Sequence, residues 1–141
     1  MEDCTQDWTF PHNSFDYVHM RYLIGSIVDW TALYKEAFKV LQPGGWLENA
    51  ETSPFHTSDD GTVTPGSASV QFPDIFRQVE LLTGRTFRIA DGGNQRKAME
   101  AAGFVDIQEF GCKVSLTRTT NFSLCPYFLY SHACRVVCKL C

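Results

Sequence analysis

The chain has 141 residues, 44% of them hydrophobic and 20% charged, with a net charge of −4. This fits one ordinary globular domain and excludes a second full domain, a disordered chain and a collagen-like repeat. Residues 1–60 hold ten acids against three bases and residues 61–141 hold six against nine, so neither half carries the basic stripe that nucleic acid requires. Arg85, Arg88, Arg96 and Lys97 read as a solvated mixed-charge face.

Met1 is followed by Glu2 and Asp3 with no apolar run of leader length, which predicts an intracellular protein, cytoplasmic or nuclear. Residues 14–24 are rich in aromatic and β-branched side chains and follow the turn formers Pro11, Asn13 and Ser14; they predict a buried strand that Gly25 and Ser26 end. Trp30, Leu33, Tyr34, Ala37, Phe38 and Leu41 then recur at helical spacing on one face of a helix about 18 Å long. Asp29 is placed to cap its amino end, and Pro43, Gly44 and Gly45 stop it. Residues 46–51 predict a second strand.

Residues 56–69 form a Thr/Ser/Asp/Gly/Pro-rich surface loop, long for a compact domain. A helix is predicted to start at Pro73, with Ile75, Phe76, Val79 and Leu82 on one face and Gly84 near its end. Residues 94–102 predict another, with Ala98, Met99 and Ala102 inward and Gly103 in the left-handed position after it. Residues 104–110 predict a third strand with Val105 and Ile107 on one face. Strands alternating with helices argue for an α/β fold on a mostly parallel sheet. The tryptophans Trp30 and Trp46 are expected in the core.

Six cysteines stand at positions 4, 112, 125, 134, 138 and 141. In an intracellular chain they do not predict a disulfide framework. Cys134, Cys138 and Cys141 have the C-x3-C-x2-C spacing that holds three irons in radical S-adenosylmethionine enzymes, but there the triplet opens a barrel, whereas here it falls at the end of the sequence. A zinc site would need a second pair of ligands beyond Cys138 and Cys141. No metal site is expected. Residues 122–134 are the most apolar stretch, but Pro126 and His132 interrupt them and they fall short of the roughly 20 residues a membrane span needs.

Three segments, Phe15-Asp-Tyr-Val-His-Met-Arg-Tyr-Leu23, Leu41-Gln-Pro-Gly-Gly-Trp-Leu-Glu48 and Ala102-Gly-Phe-Val-Asp-Ile107, resemble in order and distance the fourth strand, the turn into the fifth strand, and the sixth strand of class I S-adenosylmethionine-dependent methyltransferases. The first two closely resemble the fungal LaeA-like group, associated with secondary metabolism and its regulation. The resemblance covers residues 1–113 and implies the carboxyl half of a methyltransferase domain, a partial Rossmann-like α/β sheet with flanking helices; residues 114–141 form a divergent cysteine-rich tail.

The resemblance implies S-adenosyl-L-methionine as cofactor and a small molecule or protein as methyl acceptor. It places Asp3 and Cys4 where the family holds adenine, by the acidic side chain and the next backbone amide. His19, Met20 and Arg21 fall at the carboxyl edge of the sheet, where open α/β folds bind ligands; His19 is the candidate general base, with Met20 beside it at the cofactor. Arg21 has Asp29 or Glu48 as potential ion-pair partners, and Glu48 and Glu51 have opposite parity on their strand.

The pattern also departs from the family. None of the ten glycines lies two residues from another, so the glycine-rich loop that lets backbone approach the cofactor is not in this sequence. This leaves catalysis by the chain alone open. It sets a second reading beside the first, a non-catalytic remnant that binds a protein partner or itself along the exposed edge of its half-sheet.

Overall fold

The computed structural model describes residues 3–58, 65–115 and 129–140. The first element, strand β1 (Phe15–Arg21), is shorter than the sequence predicts. It ends where Tyr22 turns into the left-handed region at φ 54°. It is also not a buried strand: only Met20 is buried, and Tyr17 is 50% exposed. The reason is position, because β2 is the strand β1 pairs with among the described residues, which leaves β1 at the sheet edge.

Helix α1 (Trp30–Val40) buries Trp30, Leu33, Tyr34 and Ala37 as predicted and Val40 besides, with Phe38 half-buried. Leu41, expected on its last turn, is its carboxyl cap, so the helix ends before Pro43 and the glycine pair rather than at them. The Asp29 carboxylate accepts from the Ala32 amide at 2.9 Å, satisfying one of the free donors of the first turn. Strand β2 (Leu41–Thr52) begins directly at the helix end. The glycine pair makes this possible: Gly44 has φ 84°, and a Cβ on Gly45 would meet Gln42 O at 2.9 Å and Asp16 O at 3.1 Å. β1 and β2 run parallel with His19 opposite Glu48 and Met20 opposite Asn49, so β1, α1 and β2 form one βαβ unit.

A two-residue strand β3 (Thr57–Ser58) precedes helix α2 (Ala68–Thr83). α2 starts earlier than predicted and contains Pro73 in its interior. Ser67 begins it, its carbonyl accepting from the Val70 and Gln71 amides at 3.0 and 3.2 Å, and Gly84 ends it at φ 67°. Its expected apolar face is only partly used: Phe76 and Val79 are half-buried, while Ile75 and Leu82 are 58% and 86% exposed. α2 packs instead through rings, Phe72 to Phe76 at 5.1 Å and Phe76 to Phe87 at 5.0 Å.

Helix α3 (Asn94–Ala102) buries Met99 and Ala102 as predicted, and also Gln95. Strand β4 (Val105–Ser115) then pairs antiparallel with strand β5 (Leu129–Lys139). β5 in turn pairs antiparallel with β2, Glu48 opposite Val137, and with β3. The sheet is therefore mixed, with the parallel pair β1–β2 and antiparallel pairs elsewhere, and not mostly parallel. β5 runs against both of its neighbours, so its entry between β2 and β4 is what makes the sheet mixed. The described part of the cysteine-rich tail thus lies inside the sheet, between β2 and β4.

The core fills the space between this sheet and helices α1 and α3, with Met20, Leu41, Leu47, Val136 and Cys138 facing Trp30, Leu33, Tyr34, Met99 and Phe104. Trp30 belongs to it. Trp46 does not: it is 37% exposed, on the opposite face of the sheet, with the Lys139 ammonium 5.9 Å from its ring centroid. The strand parity that buries Leu47 turns Trp46 outward. A polar group is built into the core as well, Asn49 Nδ2 donating to the Tyr34 hydroxyl at 2.7 Å with Gln95 Nε2 donating to Asn49 O at 3.3 Å.

Candidate functional site

The carboxyl end of β1 opens into a cavity of about 360 Å³ lined by Cys4, Trp8, Val18, His19, Met20, Arg21, Leu23 and Leu33. The segment before β1 supplies its outer wall and is tied to α1: the Trp8 amide donates to Glu36 Oε2 at 3.1 Å, and Trp8 Nε1 donates to Cys4 O at 3.2 Å. Three of the residues expected at the cofactor, Cys4, His19 and Met20, therefore meet on one surface although fifteen positions separate Cys4 from His19. Asp3 does not line it. Its carboxylate accepts from the Thr5 amide at 2.9 Å and the Thr5 hydroxyl at 2.7 Å, and these bonds hold it below the ordinary aspartate range.

Cys4 and Leu33 also border a second cavity of about 330 Å³ with Asp29, Glu36 and Arg85 on its rim. On the other side, His19 and Arg21 border a third, of about 230 Å³, with Tyr22, Glu51, Cys112 and Arg135. The central cavity thus shares Cys4 and Leu33 with one neighbour and His19 and Arg21 with the other.

His19 does not stand alone. Its Nδ1 lies 3.4 Å from the Tyr17 hydroxyl and 3.7 Å from Glu48 Oε1. The Tyr17 hydroxyl donates to Glu48 Oε2. Arg135 closes the group from β5, its Nε 2.7 Å from Glu48 Oε1 and its Nη2 3.0 Å from Oε2. The Tyr17 hydrogen bond and the Arg135 guanidinium keep the Glu48 carboxyl below its usual range, while the same bond raises the Tyr17 phenol. Because the Tyr17 hydroxyl gives its proton to Glu48, its oxygen is left to accept from Nδ1–H of His19, the tautomer in which Nε2 carries the lone pair.

The sequence named His19 and weighed Glu48, but it missed Tyr17 and Arg135. Tyr17 was legible as the residue two positions before His19 on the same strand face. Arg135 was not, because 87 positions separate it from Glu48. Arg135 takes Glu48, which Arg21 was expected to share. Glu51, of opposite parity, turns to the helix side and binds backbone amides of residues 23 and 24.

Cys138 faces the core with its Sγ 3.7 Å from Leu47 O and 3.6 Å from Met99 Sδ. This removes the middle member of the C-x3-C-x2-C triplet from any exposed cluster; Cys125 and Cys141 lie outside the described residues. No helix among the described residues is long and apolar enough to cross a membrane.

Residues 2–109 match the family described as "Methyltransferase domain". The chain is 33% identical over 114 residues to "Methyltransferase pytC" of Aspergillus terreus, covering 81% of this chain and 34% of that protein. It is 35% identical over 121 residues to "Secondary metabolism regulator LAE1" of Cochliobolus heterostrophus, covering 84% and 38%. In fold it resembles phosphoethanolamine N-methyltransferase 2 of Haemonchus contortus in complex with S-adenosyl-L-methionine, with a TM-score of 0.59 at 15% identity over 98% of this chain and 36% of that one. The chain thus spans little more than a third of the length of these curated relatives.

Proposed function

Because this chain belongs to the methyltransferase-domain family, we propose that it is the carboxyl-terminal part of an S-adenosylmethionine-dependent methyltransferase of secondary-metabolite biosynthesis or its regulation. The observation that carries this is the meeting of Cys4, His19 and Met20 on one cavity at the carboxyl end of a parallel strand. The names of the relatives support the metabolic setting.

The lining fits one end of the cofactor. Trp8, Val18, Met20, Leu23 and Leu33 give an apolar wall suited to an adenine ring, with Cys4 in the same lining and Asp3 one residue away in sequence. The chain supplies no glycine-rich turn for the methionyl end. When bound, the cofactor supplies an electrophilic methyl group on a sulfonium. The residues of this chain contribute orientation and water exclusion. His19, held by Tyr17 and through it by Glu48, takes the acceptor's proton at Nε2 where the acceptor carries one. The acceptor, a small molecule or a protein, enters from the 230 Å³ cavity that shares His19 and Arg21. Full catalysis then needs the glycine-rich part of the fold beside β1, which among the described residues pairs with β2 alone.

Titration calorimetry of the purified chain with S-adenosylmethionine and S-adenosylhomocysteine tests the assignment. Saturable binding that adenosine competes away is expected. A folded chain that binds none of the three would overturn the placement of the adenosine end on these residues.

A further inference from the structure

Glu51 is 1% exposed, and no ion pair compensates it among the described residues. Its carboxylate instead accepts backbone bonds, from the Leu23 amide at 3.0 Å to each oxygen and from the Ile24 amide at 3.2 Å to Oε2. These amides belong to the turn by which the chain leaves β1. The last ladder bond of that region runs from the Tyr22 amide to Ala50 O at 3.1 Å. Past Tyr22, whose φ of 54° breaks the extended backbone, the neighbouring strand offers no further carbonyl in register. The side chain of the next β2 residue takes over the role of acceptor.

What this turn carries makes the contact consequential. Leu23 is a wall of the 360 Å³ cavity, and Ser26, Ile27, Val28 and Asp29 form a wall of the 330 Å³ cavity before Asp29 caps α1. From the far side the turn is held by Gly25 N donating to Thr86 O at 3.3 Å. We propose that Glu51 is a positioning residue, a buried carboxylate that sets the backbone of the turn after β1 and, through Leu23, the width of the cavity next to His19 and Met20.

The geometry suits a carboxylate whose two oxygens both accept. Two amide donors converge on it, and a carboxamide of the same size would bring its own N–H₂ against one of them. Burial raises the Glu51 carboxyl above its ordinary range while the two amides pull it back. The ligand consequence rests on the function proposed above; the positioning of the turn does not.

Residue-resolved amide exchange on the full chain with Glu51→Gln tests the turn. Exchange at Leu23 and Ile24 is expected to accelerate about 10- to 100-fold, the ratio a charge-assisted bond carries, with α1 and α3 still protected as in the wild type. Unchanged protection at Leu23 and Ile24 overturns the proposal, as does a uniform loss across α1 and α3, which marks a purely structural residue. Should E51Q fail to fold, the same measurement on Glu51→Asp, which keeps the charge but withdraws it by one methylene, gives the decision. In calorimetry with S-adenosylhomocysteine, E51Q is expected to weaken binding at least about 5-fold. A wild-type chain that binds none sinks the functional reading, and Glu51 is then judged on the exchange pattern.

Discussion

Gly25 stands where the turn after β1 passes beneath a ring, and replacing it with alanine separates two costs that are usually mixed. A Cβ at Gly25 would lie 2.4 Å from Phe87 Cε1 and Cζ, with the backbone at φ +70°. Gly84, at the end of α2, has nearly the same backbone, φ +67°, but nothing within 4 Å of its Cβ position. Both substitutions incur the left-handed penalty of about 1–2 kcal/mol, offset by about 0.4–1 kcal/mol of lost freedom in the unfolded chain. Only Gly25→Ala adds overpacking, about 1–3 kcal/mol. Phe87 cannot swing away freely, because its ring packs on Phe76 at 5.0 Å, which packs on Phe72, which stacks on His56 at 5.3 Å. The expected difference between the variants is therefore the contact cost alone, about 1–3 kcal/mol, or roughly 3–10 °C in melting temperature for a domain of this size. Urea and thermal unfolding followed by circular dichroism measure it. If the two variants agree within about 0.5 kcal/mol, Phe87 is not the obstacle and the account of how this turn is held from its far side is wrong.

Two further outcomes follow from the site and the core. Glu48 sits below its ordinary value of 4.5 in the folded protein because of Tyr17 and then Arg135; the unfolded state therefore binds its proton first as pH falls. Its contribution is present above 4.5 and lost as pH drops through the lowered folded value. Glu48→Gln is expected to flatten the loss of stability below about pH 4.5, read from urea midpoints across that range, and an unchanged acid slope would count against the Tyr17–Glu48–Arg135 group. Burial pushes the Cys138 thiol up to about 12, so at about pH 8 it holds roughly a thousandfold less thiolate than a thiol at the ordinary value of 9.0. Iodoacetamide followed by peptide mass spectrometry is expected to modify exposed Cys112 while sparing Cys138 in folded protein; equal labelling of both would place Cys138 outside the core.

Much of the helical layer was legible because local chemistry decides it. The apolar spacing from Trp30 to Ala37 and the Asp29 cap act over a few residues, and the structure places both where the spacing does; the glycine pair, read as the helix stop, lies inside β2 because the chain turns extended already at Leu41. α3 was equally readable up to Gly103. α2 was not, since a proline read as a helix start lies in its interior and Ser67 begins it. Trp46 misled for another reason: a large apolar side chain is not told from the core by type alone, and parity beside Leu47 set it outside.

By itself, the sequence determined the βαβ unit, the family and the residues at the carboxyl end of β1, because order and short-range spacing carry them. Only the tertiary structure decided which residues surround that end. Arg135 reaches Glu48 because β5 enters between β2 and β4, and the segment holding Cys4 reaches Met20 because Glu36 on α1 fixes it there. Glu51 serves the turn after β1 because the strand register stops one residue short of it. Each is a pairing between distant segments, and such pairings are set by register and packing across the whole sheet, which no local pattern encodes.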